Sequence, residues 1–455
     1  MRRAPSAVLL AVSLSLACSQ SGTKVPAVTV AKGFLRDAQG RALVLRGANV
    51  SGKAKAPPYF DFQGPADLAR MRPDWGMNAI RFLVLWSAIE PAEGRYDEAY
   101  LDAVAQRIGW ARDAGLYVVL DMHQDVFGIG FASGGGDGAP LWACDAQSYA
   151  TFQPTTPWFF ENLSSQVSGC YDGFWQSDEL QAHYAEAWRR LAARLAGYDD
   201  VIGFDVMNET YWGSYEITHF EQDRLEPLYE RVVPVVRSAA PAWIAFLEPS
   251  SSRNLGGTTN LTPPSFGDFV YAPHSYDRNA ESGNGFDPAD VPAIVANVAA
   301  LAEEARALGG ALWIGEYGGS QNEPGIAPYM AAQYDAAGAV AASTMYWDYT
   351  MGGYGLLNPD GSEAQPLVDT LVRPYPELVA GTPVSWSFDA PTATFTTTYH
   401  PDRTIAGPSV IVVPARVYPA GYSIACGGCS ARVDCDTVVI DDPGPGDPVV
   451  VTLSP

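Results

Sequence analysis

The sequence predicts an α/β fold, a (β/α)₈ barrel followed by a β-sandwich. Between about residues 33 and 378, eight short apolar runs alternate with helical patterns. Most runs are near-continuous rather than alternating, as expected of parallel strands covered on both faces. After Pro374-Tyr375-Pro376 the helical period disappears and β-branched stretches take over.

The strand runs fall at 44–49, 79–85, 116–121, 201–207, 243–247, 269–272, 312–315 and 343–346. Among the helices between them, Leu101, Val104, Ile108 and Ala111 share one face, and Gly115 stands where a helix ends. Ser177 is placed as an N-cap, with Asp178 and Glu179 in the first turn. Leu180, Tyr184, Trp188, Leu191 and Leu195 then share a face, and Gly197 marks the stop. Eight strand–helix units make a barrel. A doubly wound sheet would need a Gly-rich dinucleotide loop after the first strand, and none is present.

The longest insertion, residues 128–177, follows the third strand and contains Gly134-Gly135-Gly136-Asp137-Gly138. Long loops on that barrel face shape substrate sites. Residues 379–455 read as a small sandwich, with stretches at 385–399, 409–417 and 449–453.

The chain has 455 residues, 47% hydrophobic and 12% aromatic, which excludes disorder as the main state. Its net charge of −23 excludes nucleic acid as a partner.

Residues 1–17 form an expected export signal. Arg2 and Arg3 precede an apolar run ending at Ala17 that is too short for a bilayer span. Leu14-Ser15-Leu16-Ala17-Cys18 resembles a bacterial lipobox, which implies a lipid anchor and peripheral membrane contact, with ordinary secretion as the alternative. Residues 18–32 read as a tether. Export places the cysteines in an oxidising compartment. Cys144 and Cys170 bracket a Gly-rich segment and are the expected pair; Cys426, Cys429 and Cys435 are odd in number, which leaves one free. Cys426-Gly427-Gly428-Cys429 lacks the ligands of a zinc site.

In a parallel barrel the residues ending each strand share one rim. Arg81, Asp121, His123, Asn208, Glu209, His274, Tyr276, Glu316 and Trp347 occupy such positions. Two rim carboxylates, Glu209 and Glu316, are what glycosidic cleavage needs: one protonated to assist the leaving oxygen, one ionised to attack the anomeric carbon. The other histidines, His183, His219 and His400, show no ligand spacing and read as surface residues.

Arg81, His123, Asn208-Glu209, His274, Tyr276, Glu316 and Trp347 resemble, in order, the active-site set of glycoside hydrolase family 5. Asp121-Met122-His123-Gln124-Asp125-Val126, Gly47-Ala48-Asn49 with Lys55, Phe82-Leu83-Val84-Leu85-Trp86 and Ala272-Pro273-His274 are similar to the endoglycoceramidases of that family. The resemblance implies Glu316 as nucleophile, supported by Arg81 and Tyr276, and Glu209 as acid/base with His274 beside it. It implies Asn208 on the sugar 2-hydroxyl, His123, Asp121 and Lys55 on other hydroxyls, and Trp347 under the sugar ring. The run Glu209-Thr210-Tyr211-Trp212-Gly213 departs from the family's Pro after the acid/base, changing the wall expected beside the leaving group.

The expected function is therefore a retaining endo-β-glycosidase cutting between a glycan and a hydrophobic aglycone such as ceramide, as a monomer and without cofactor or metal. The alternatives are a family 5 enzyme on another glycolipid, aryl glucoside or polysaccharide, and a glycan-binding surface lipoprotein without catalysis.

Overall fold

The computed structural model describes residues 27–50 and 52–455. The expected export signal, the expected lipid acceptor Cys18 and most of the expected tether lie outside the described residues.

Eight strands close into a barrel in which neighbours pair in parallel. They are β1 (Arg46–Val50), β2 (Ala79–Val84), β3 (Tyr117–Met122), β4 (Val201–Asp205), β5 (Ile244–Leu247), β6 (Phe269–Tyr271), β7 (Ala311–Tyr317) and β8 (Ser343–Tyr346). Each coincides with a predicted run to within two or three residues. At Gly47 a Cβ would sit 1.8 Å from the Ala79 carbonyl oxygen, so β1 and β2 pair only because that side chain is missing.

Inside, Leu45, Ala79, Ile202, Val270 and Trp313 form an apolar plug. Nearer the C-terminal rim, the register aligns Asn49 with Arg81 and Asp121 with Asp205, so the next layer is polar and charged.

The helix Glu98–Asp113 is capped by Asp97, which accepts from the Tyr100 amide, and buries Leu101, Val104, Ile108 and Ala111. Gly115 follows at φ +68°, as its position predicts. The helix Asp178–Leu195 is capped by Ser177 and buries Tyr184, Trp188, Leu191 and Leu195. One unit departs from the expected eight. No helix stands between β5 and β6 among the described residues, because the connection is built of Pro, Ser, Thr and Gly, which favour turns.

The insertion after β3 carries the helices Ala146–Thr151 and Ser165–Gln176 and several 3₁₀ turns. The expected disulfide Cys144–Cys170 closes it. Tyr171 donates to Gln124 Oε1 at 2.6 Å, fixing the insertion against the rim.

The sandwich pairs a seven-stranded sheet with a four-stranded one. Its boundary is not the expected one. Val28–Ala31, read as tether, is a strand, and with Phe34–Asp37 and Ala42–Leu43 it joins Tyr375–Val379 in the larger sheet. Short β-rich pieces before the barrel gave no sign of a partner more than 300 residues away. Cys426 pairs with Cys429, and no described cysteine is free.

Candidate active site

Arg81 projects from β2 into the barrel axis and is fully buried. A buried guanidinium needs acceptors on all sides. Nε donates to Asp205 Oδ2 (3.0 Å), Nη1 to Glu316 Oε1 (2.6 Å) and Asn49 Oδ1 (3.1 Å), and Nη2 to Asn208 Oδ1 (2.8 Å) and Glu248 Oε1 (3.0 Å). Asp121 Oδ1 lies 3.1 Å from Nη2. One cation thus organises residues from five strand ends.

Glu316, on β7, accepts from Arg81 on Oε1 and from the Tyr276 hydroxyl on Oε2 at 2.9 Å. Burial raises its pKa above the ordinary glutamate value, and His274 and Arg81 pull in the other direction. Burial, then Glu316, holds the Tyr276 hydroxyl far above its usual range, so it stays a donor.

Glu209 follows β4 at φ +38°, a costly conformation for a residue with a Cβ. Its amide donates to Glu248 Oε2 (2.9 Å) and its carbonyl accepts from Gln124 Nε2 (2.9 Å), which fixes the turn. Its Oε1 receives two donors, Asn254 Nδ2 at 2.8 Å and His274 Nδ1 at 2.7 Å. His274 Nε2 lies 3.2 Å from Glu248 Oε1. Burial disfavours the imidazolium, but Glu248 and Glu316 lift it well above the ordinary histidine value, so both ring nitrogens donate. Oxygens of Glu209 and Glu316 lie within 4.8 Å of each other.

Beside this pair, His123 stacks on Trp347 with centroids 5.3 Å apart and planes at 16°. Lys55, in the turn Gly52–Lys55 after β1, reaches to 4.8 Å from the Trp347 ring and pairs with Asp125 and Asp137. Burial and Lys55 disfavour the His123 cation, yet Asp121 and Asp125 raise its pKa to about 10. Burial pushes Asp137 up to about 7.

All ten residues singled out in the sequence meet here. Asp121, however, is buried behind His123, with Oδ2 2.7 Å from His123 Nδ1, and orients that ring instead of facing a sugar. Asp205, Glu248 and Asn254 were missed. Glu248 directly follows β5, so the strand-end rule that found Glu316 applies to it equally. Asn254 lies in the irregular stretch after β5 and carried no signal. His183 is half-buried on Glu90, 2.7 Å away, whereas His219 and His400 are exposed as expected. Tyr211 and Trp212 are buried and stacked on each other at 4.0 Å, and the Tyr211 carbonyl accepts from Trp175 of the insertion. They pack the loop rather than form an open wall.

Facing carboxylates this close on a barrel rim define a retaining glycosidase, in which one attacks the anomeric carbon while the other moves the proton. The chain matches the family model described as cellulase (glycosyl hydrolase family 5) over residues 37–353, and that of the glycoside hydrolase family 5 C-terminal domain over 373–451. It belongs to glycoside hydrolase family 5.

Endoglycoceramidase I of Rhodococcus hoagii (strain 103S) is 27% identical over 440 residues, 90% of this chain and 85% of that one. Endo-glycoceramidase II from Rhodococcus sp., solved with ganglioside GM3, is 33% identical, with 93% of this chain and 99% of that one covered at a TM-score of 0.82. The same relative was also solved as a lactosyl-enzyme intermediate. A glucosylceramidase of Rhizopus delemar (strain RA 99-880) is 28% identical over 256 residues, covering 43% of this chain and 37% of that one.

Proposed function

We propose that this protein is a retaining endo-β-glycosidase that cleaves glycosphingolipids into oligosaccharide and ceramide. The observation that carries the reading is the Glu209–Glu316 pair, with oxygens within 4.8 Å. It stands in a chain 33% identical to an endo-glycoceramidase trapped as a lactosyl-enzyme.

In this reading Glu316 attacks the anomeric carbon, and Arg81 and Tyr276 each hold one of its oxygens in line. The two donors on Glu209 Oε1 leave Oε2 to carry the proton delivered to the leaving oxygen. In the second step Glu209 takes a proton from water, which then releases the sugar from Glu316. Asn208 is held by Arg81 through Oδ1 and by the Gln124 carbonyl through Nδ2, leaving one N–H for the sugar 2-hydroxyl. Trp347 supplies a flat apolar contact for the ring, and His123 and Lys55 supply donors at its edge.

Incubation with lactosylceramide or GM3 in detergent tests the reading. Release of the intact glycan together with ceramide is expected; trimming of terminal sugars, or no cleavage, overturns it. The similarity to a glucosylceramidase favours one second reading, a single-glucose glycolipid as substrate. Hydrolysis of glucosylceramide with lactosylceramide left intact would establish that instead.

The chain is further read as exported and lipid-anchored through Cys18, and as a monomer. The disulfides support an oxidising compartment. Palmitate incorporation that Cys18→Ala abolishes is expected; an unlabelled soluble enzyme would mean ordinary secretion.

A further inference from the structure

Ten large hydrophobic side chains are strongly exposed among the described residues, and seven sit on loops that leave the C-terminal ends of barrel strands. Four belong to the insertion: Leu141 (56%), Trp158 (40%), Phe160 (53%) and Leu163 (56%). Ile217, Leu255 and Met351 lie on the loops after β4, β5 and β8. The apolar exposure therefore gathers on the face that carries Glu209 and Glu316. Exposed apolar side chains gathered on one face of a protein mark an interaction site.

The turn Trp158–Leu163 is held so that its aromatics point outward. Glu161 is buried, and its Oε1 accepts from the Thr155 amide at 2.8 Å. Asn162 Nδ2 donates to the Phe159 carbonyl at 3.3 Å, and Ser164 caps the following helix. Phe159 and Phe160 have ring centroids 4.8 Å apart. The disulfide Cys144–Cys170 closes the segment at its base.

Charge selects the occupant. From Ala146 through Tyr171, Glu161 is the only Asp, Glu, Lys, Arg or His, and it is turned inward. A chain of net charge −23 thus presents an uncharged aromatic surface beside its catalytic mouth. Such a surface approaches a zwitterionic bilayer without electrostatic cost, and aromatic side chains favour the headgroup region.

We infer that the insertion, through Trp158, Phe160 and Leu163, docks the catalytic face onto a zwitterionic lipid bilayer. The inference rests on the glycosphingolipid reading, because a substrate embedded in a membrane must be met at its surface. It adds a second contact independent of any lipid at Cys18.

The test uses the full chain carrying Cys18→Ser, with and without Trp158→Ser, Phe160→Ser and Leu163→Ser together, and substrate-free phosphatidylcholine vesicles. The parent should co-sediment with vesicles and the triple variant should lose at least tenfold in bound fraction. Both should hydrolyse a soluble aryl β-lactoside equally, which shows that the variant folds. A second variant, Trp158→Phe with Phe160→Trp, should bind like the parent. Equal sedimentation of parent and triple variant overturns the docking surface, as does a parent that ignores vesicles. So does a parent dimer that the triple variant breaks while neither binds lipid. Failure of the substrate reading shows separately, as absence of lactosylceramide cleavage in detergent micelles.

Discussion

Arg81 sits among four carboxylates, Asp121, Asp205, Glu248 and Glu316, with no exposure to solvent. Removing one partner of such a network leaves uncompensated buried charge and costs about 3–5 kcal/mol. Arg81→Met should lower stability by that order and abolish turnover, as read by denaturant unfolding and aryl-glycoside hydrolysis. A folded, active Arg81→Met enzyme would contradict the network. Glu316 must be ionised to attack, and burial raises its pKa. Activity should therefore fall on acidification at a pH above the ordinary glutamate value of 4.5. A kcat/KM profile with its acid limb at or below that value would show that Arg81 and His274 outweigh burial. His123 gains charge on folding, from an ordinary 6.5 to about 10. Its stabilisation is complete below pH 6.5 and is lost as pH rises toward 10. Thermal unfolding of wild type should show that decline, and His123→Gln should flatten it.

Among the elements, the insertion is closed by a covalent cross-link. Cys144 and Cys170 are 26 residues apart, and such a cross-link contributes on the order of 2–4 kcal/mol. Replacing both by alanine should open residues 145–169 to limited proteolysis while the barrel stays intact; an unchanged cleavage pattern would mean that packing alone holds the segment. The barrel strands were legible because buried parallel strands leave continuous apolar runs, and the rim followed because each run ends at the mouth. Besides the distant partner of the Val28–Ala31 hairpin and Asn254, two things were not legible. The sequence between β5 and β6 is turn-rich, yet the repeat of strand and helix invited an eighth unit. The polar layer under the catalytic pair also hid Asp205 inside a strand, where an apolar run disguises a single acid. Asp121 was found, but only the register with Asp205 shows that it faces Arg81 and His123.

Across the whole molecule, the strands that lead into the barrel belong to the larger sheet of the sandwich. Leu43 pairs with Leu378, and Arg72 and Asn78 beneath the barrel both donate to Glu377 of the sandwich. Arg416 of the sandwich also bridges Glu363 and Asp369 of the barrel unit. The sandwich is thus a brace that completes the bottom of the barrel. A chain ending before Pro374 would leave Ala42–Leu43 as an open edge and uncover Tyr334 and Val44. Such a truncation should aggregate on expression; a soluble, active barrel would show that the two units are independent. The same division of labour leaves the catalytic face free of the sandwich, with the insertion as its main elaboration.

In the proposed reaction Glu316 bonds to the sugar while Glu209 moves the proton. Treating the enzyme with a 2-deoxy-2-fluoro-β-lactoside bearing a good leaving group, followed by peptide mass spectrometry, tests it directly. A lactosyl adduct on the peptide carrying Glu316, released by water only when Glu209 is present, is the predicted result. An adduct on another residue, or turnover with no covalent species, would contradict it.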